Sequence, residues 1–203
     1  ESARLVAQVS RTLSILGLGG TIGTPAKKGL TAQVLIARDF SQLETLGDKV
    51  KGKIVLFNKA MPADDPGRAY GETVVYRTTG ATRAAKLGAV GVLVRSVTAH
   101  SLSTPHTGAM QYADDVAKIP AAAVTVEDAE LIARLVASGE PVKVHLQLGA
   151  HTLPDATSHN VLAELVGREA PAEIVVIGGH LDSWDVGQGA HDDGAGCVAA
   201  MHA

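Results

Sequence analysis

Apolar positions along this chain come in short blocks separated by polar and glycine-containing segments, and the spacing changes from two to nearly four as the blocks pass. Leu30 to Ala37 (LTAQVLIA) and Lys53 to Phe57 (KIVLF) are runs of strand length, and Gly47 to Gly52 between them reads as a turn-rich connection. Thr78 to Leu87 has the spacing of a short packed helix stopped by Gly88, and Gly91 to Val94 follows as a buried strand. Ile119 to Val124 predicts another strand. Ala129, Leu131, Ile132, Leu135 and Val136 give Val126 to Ala137 the period of an amphipathic helix that ends near Gly139. Val142 to Leu148 then alternates as a strand. At the amino end, Leu5, Val9 and Leu13 recur every fourth position, which predicts a partly amphipathic helix over Glu1 to Ile15 and a flexible Gly-rich turn from Gly17 to Gly23. At the other end, His159 to Gly167 reads as a strand and turn. Ile174 to Ile177 reads as a strand buried on both faces, and the small residues from Cys197 to Ala200 open a helix.

Composition narrows the function classes. The 203 residues suit one large or two small domains, and 46% hydrophobic with 19% charged residues is ordinary globular composition. A net charge of -3 leaves no footprint for nucleic acid or for an anionic membrane, so neither partner is expected. No apolar run reaches the roughly 18 residues of a membrane span. Glu1 to Gln8 lacks a basic region followed by an apolar one, so a signal peptide is expected to be absent or already removed. The single cysteine, Cys197, makes no internal disulfide and leaves the compartment open; its expected role is that of a small packed hydrophobe. No apolar strand is expected before Gly17-x-Gly19-Gly20 and no lysine follows at the phosphate-loop spacing, so a phosphate cradle is not expected there.

The chemistry is concentrated in Ile174 to Gly196, IVVIGGHLDSWDVGQGAHDDGAG. A histidine after a strand, or an Asp-Asp-Gly turn, is common by itself. Here an apolar strand, Gly178-Gly179, His180-x-Asp182, Gly187-x-Gly189 and Asp192-Asp193-Gly194-x-Gly196 follow one another at the position where open α/β sheets bind ligands. The imidazole of His180 and the carboxylate of Asp192 form a mixed nitrogen and oxygen donor set that suits zinc better than calcium or magnesium. The Gly-rich loop of about a dozen residues between them can fold back cheaply. Asp182 stands where it can orient the His180 ring. Asp193 is expected to hydrogen-bond the turn or point to solvent rather than ligate, His191 to lie behind the site or on the surface, and Trp184 and Asp185 to line the loop.

Taken together, these motifs resemble the M28 family of zinc aminopeptidases and carboxypeptidases. The resemblance implies that His180 binds one zinc, that Asp192 bridges two zincs per complete site, and that Asp182 acts in catalysis by orienting His180. Asn160-Val161 before Gly167 also fits the phrase that precedes the His-x-Asp strand in that family. DKVKGKIVLF, AAKLGAVGVLV and KIPAAAVTVEDAELI, in that order, resemble a protease-associated domain, an insertion of mixed β-sheet and short helices that carries no chemistry. The implied fold is a partial M28-like α/β domain with that insertion: residues 1–28 from the peptidase domain, 29–139 the protease-associated domain and 140–203 the start of the catalytic domain. The loop Ser101 to Gly108 with Tyr112, the stretch Gly20 to Pro25 and His180 to Trp184 resemble a carboxypeptidase branch of M28. In that loop His106 is a solvated residue or, if Pro105 fixes the backbone, part of a segment leaning over the cleft.

The family also needs a Glu-Glu pair, a further acidic ligand and a late His, none assignable here. Two ligands are fewer than the three or four zinc takes, so the 203 residues are expected to be catalytically incomplete and to expose apolar surface. The function implied is hydrolysis of small peptides by a secreted or periplasmic exopeptidase, with a homodimer as the oligomer considered. Two alternatives stay open: a non-catalytic protease-associated binding module with a vestigial metal motif, and a metal-dependent acyltransferase or cyclase on the same scaffold.

Overall fold

A computed structural model describes residues 1–7, 10–100, 102–184 and 186–203. They form two compact units, Glu1–Leu153 and Pro154–Ala203.

The first unit is built on β1 (Ser2–Val6), β2 (Arg11–Leu13), β3 (Ile15–Gly17), β4 (Leu30–Ala37), β5 (Ile54–Phe57), β6 (Gly91–Arg95), β7 (Ala121–Val124) and β8 (Lys143–Gln147), with helices α1 (Phe40–Leu46), α2 (Pro66–Lys86) and α3 (Val126–Ala137). Among the described residues the strands form one mixed sheet in the order β2-β1-β8-β4-β5-β6-β7-β3. Its centre, β4 to β7, is parallel, and the flanking pairs are antiparallel. β2 and β3 lie at opposite edges, yet only Ser14 separates them. Two residues of chain reach about 7 Å at most, so the two edges meet end to end at Ser14 and the sheet curls into an open barrel with a seam there. Ser14 sits at the seam, its N–H donating 2.9 Å to Asp128 Oδ2 and its carbonyl accepting from Thr125 N–H. The unit runs unbroken across positions 28/29 and 139/140, because β1 pairs with β8 and β8 with β4.

Alternate residues of the central strands feed two cores. Ile54, Leu56 and Leu93 point to one face with Leu5, Leu13 and Ile132; Val55, Phe57, Val92 and Val94 point to the other with Leu43 and Tyr76. Phe40, Phe57 and Tyr76 stack there, with centroids 4.5–5.7 Å apart.

The strand expectations for residues 30–37, 53–57, 91–94, 119–124 and 142–148 and the helix over 126–137 match β4 to β8 and α3 to within two residues at each end. Three others need correction, and one helix has no counterpart among them. The helix expected over Glu1 to Ile15 is the β1–β2 hairpin, in which burial alternates along Ser2–Val6 with Ala3 and Leu5 inside; Gln8 and Val9 lie outside the described residues. The Gly-rich turn is not loose: Gly17 closes β3, Leu18 N–H donates to the Ala121 carbonyl, and Gly19 bridges to Ala109. α2 starts at Pro66, well before Thr78. Asp65 caps it by accepting from Arg68 N–H, Pro66 presets the first turn, and Ala69, Thr73 and Tyr76 anchor the extra turns. α1 has no counterpart in the sequence reading; Asp39 caps it through a 2.7 Å bond from Gln42 N–H.

In the second unit, the strands expected over 159–167 and 174–177 are absent among the described residues. A strand exists through its ladder to a neighbour, and no segment of this unit pairs with either stretch. Ile174, Val175 and Val176 are accordingly 80–87% exposed. The regular element here is α4 (Ala195–His202), entered through a wide turn over Ala190–Gly194.

Candidate metal centre

His180, Asp182, Asp192 and Asp193 converge within the second unit. Gly179 permits this: a side chain there would bring its Cβ to 2.6 Å from the backbone nitrogen of Cys197. The chain therefore passes directly over the start of α4. Asp193 ties the two passes together, accepting from His180 N–H at 3.2 Å and Gly196 N–H at 3.1 Å. Cys197 Sγ–H donates to the His180 carbonyl at 3.3 Å. Asp193 thus serves the turn, and Cys197 packs as a partly buried thiol.

This frame presents the His180 ring. Nδ1 lies 2.9 Å from the main-chain carbonyl of Asp182 and 3.3 Å from its carboxylate. A carbonyl only accepts, so Nδ1 carries the hydrogen and the lone pair of the neutral ring is on Nε2. Nε2 in turn lies 2.9 Å from Asp192 Oδ1. Bonded to acceptors at both nitrogens, the ring favours its protonated form. The Asp182 carbonyl bond is the main cause raising its pKa above the ordinary imidazole value, with the Asp192 bond and the two carboxylate charges adding to it.

The donor chemistry fits a metal in part. One imidazole nitrogen with its tautomer fixed and one carboxylate oxygen face each other, as ligands of a shared ion must. Among the described residues no group of three or more His, Cys, Asp or Glu side chains is arranged so that it could hold a metal ion. His191 is exposed and Trp184 half exposed; Asp185 lies outside the described residues.

His106, in the first unit, is not a freely solvated loop residue. Its N–H donates 2.8 Å to Ser96 Oγ, its ring meets Tyr70 edge-on at 6.1 Å, and Nδ1 lies 3.5 Å from Arg77 Nη1.

Residues 6–132 match the PA domain and residues 160–203 match peptidase family M28. The chain belongs to the PA domain family, and its last segment is similar to peptidase family M28. Over its whole length it is 48% identical to carboxypeptidase Q of Xenopus laevis and 45% to that of Homo sapiens, in each case spanning 42% of the relative's length. The crystal structure of a peptidase M28 precursor from Shewanella amazonensis superposes with a TM-score of 0.90 at 38% identity, over 96% of this chain and 44% of that one. The mixed α/β architecture is thus that of M28 peptidases carrying a PA domain. No helix among the described residues is long and apolar enough to cross a membrane.

Proposed function

We propose that the chain is the amino-terminal part of a zinc-dependent exopeptidase that hydrolyses small peptides, with His180 and Asp192 among the ligands of a dinuclear site. The observation that carries this reading is the 2.9 Å approach of His180 Nε2 to Asp192 Oδ1 while Nδ1–H is committed to Asp182. It is supported by the match of residues 160–203 to M28 and by the identity to carboxypeptidase Q.

In this proposal His180 offers the Nε2 lone pair and Asp192 the bridging carboxylate. Asp182 orients the ring through its carbonyl and carboxylate, and Asp193 holds the loop so that both donors face one point. Bound zinc would supply a water acidified to near-neutral pKa and polarise the scissile carbonyl. The remaining ligands and the general base belong to parts of the longer protein that this chain does not span. A secreted or periplasmic location follows from the same reading.

The second reading, a PA binding module with a vestigial motif, is favoured only by the two-donor count. Metal analysis of the full-length protein separates them. Two zinc ions per chain and peptidase activity, both lost in His180→Ala and Asp192→Asn, are expected. Stoichiometry and activity that survive both changes would overturn the dinuclear assignment.

A further inference from the structure

Arg77 is 7% exposed in the middle of α2, and among the described residues no carboxylate lies within ion-pair distance of it. A buried guanidinium without an acid partner is costly, so neutral groups must hold it. Nη2 donates to Tyr70 Oη at 3.0 Å and Nη1 to the Thr107 carbonyl at 3.1 Å. Nη1 also faces His106 Nδ1 at 3.5 Å. Gly108 packs flat on the guanidinium, where no Cβ would fit. Two of the neutral groups, His106 and Thr107, lie on one loop, between β6 and β7. That loop also braces the barrel seam: Thr107 Oγ–H donates to the Gly17 carbonyl, and Gly108 and Met110 bond to Gly19.

We propose that His106 and Arg77 form an acid-sensitive latch. With His106 neutral, its Nδ1 is an acceptor turned toward the guanidinium and the loop is seated. Protonation turns that acceptor into a donor and sets two like charges in contact where the described residues place no ion-pair partner for Arg77, and the loop over residues 102–110 lifts from α2 and from the Gly17–Gly19 edge. The groups facing His106 are Arg77 and Tyr70 from α2 and Ser96 from the end of β6; Ser96 Oγ–H donates onward to the Val124 carbonyl. An acidic group that contacts this loop is Glu127 of α3. It accepts from Ser103, at the loop's far end, and tethers that end whatever the state of His106. Burial, and after it the Arg77 charge, lower the pKa of His106 below the ordinary histidine value, the direction such a latch needs.

Hydrogen exchange on the full-length protein, corrected for intrinsic rates, tests this between about pH 7.5 and about pH 5, the range over which histidine titrates. Amides of residues 102–110 and 17–20 are expected to lose protection several-fold at the lower pH, and those of β5 and β6 to keep theirs. His106→Asn, which stays neutral, is expected to remain protected at both. Arg77→Met removes the opposing charge and is expected to abolish the pH response. Unchanged protection in the parent protein, or an equal loss in His106→Asn, overturns the latch.

Discussion

His180 presents Nε2 to Asp192 Oδ1 at 2.9 Å because the other ring nitrogen is tied to Asp182. The hierarchy of contacts predicts a hierarchy of losses. His180→Ala removes a donor atom, whereas Asp182→Asn removes only the carboxylate charge 3.3 Å from Nδ1 and keeps the main-chain carbonyl. In the full-length protein Asp182→Asn should weaken metal affinity by about tenfold, the low end for partners behind a ligand, and His180→Ala by far more. Competition with a chelator, followed by metal analysis, measures both; equal losses would remove the orienting role from Asp182.

How much of this was legible in the sequence follows from which residues had their partners within reach. β5, β6 and β7 are buried on both faces and read as continuous apolar runs. The amino-terminal hairpin has the pattern of a helix for a physical reason: Leu5, Val9 and Leu13 are four apart, and four is even. That spacing lines up on one face of a helix and also on one face of a strand, and Leu5 and Leu13 do enter the same core. Ile174 to Ile177 has the composition of a buried strand, but composition cannot supply a ladder. The approach of His180 to Asp192 could be anticipated from the Gly-rich loop between them. Arg77 could not, because nothing in a helical arginine's sequence context marks it as buried without an acid.

Two glycines of α2 should respond oppositely to alanine. At Gly80 a Cβ would lie 2.7 Å from Phe57 Cε2, and Phe57 is fully buried and held edge-on by Phe40 at 5.6 Å. The ring cannot retreat, so overpacking of about 1–3 kcal/mol should outweigh the helix gain of about 0.5–1 kcal/mol. Gly71 has nothing within 4 Å of the added atom. Gly71→Ala should therefore raise the unfolding temperature and Gly80→Ala lower it in calorimetry; two shifts of the same sign would contradict the packing described.

Stability should also carry the signature of His106. Its pKa is lowered in the folded protein by burial and then by Arg77, so the unfolded chain takes up the proton first as pH falls. The contribution is intact above the ordinary histidine pKa, about 6.5, and is lost as pH drops from there toward the folded value. His106→Asn should flatten this part of the stability–pH curve relative to the parent protein. Equilibrium denaturation at several pH values reads it, and curves that stay parallel would show that His106 is not the group responsible.

The barrel seam depends on Asp128 more than on its visible ion pair. Asp128 is 2% exposed and accepts from Ser14 N–H at 2.9 Å, where β2 passes into β3, while its own N–H is capped by Thr125 Oγ at 3.2 Å. Arg11 reaches Oδ1 at 3.2 Å, but its side chain is 55% exposed. Water screens that pair, so Arg11→Ala should cost under about 1 kcal/mol. Asp128→Ala leaves the Ser14 N–H without an acceptor in a partly buried place and should cost about 1–3 kcal/mol. Asp128→Asn keeps a carbonyl oxygen for Ser14 and should fall between the two. Denaturant titration gives the order; an Arg11→Ala loss as large as that of Asp128→Ala would mean that the charge pair, and not the hydrogen bond at Ser14, holds the seam.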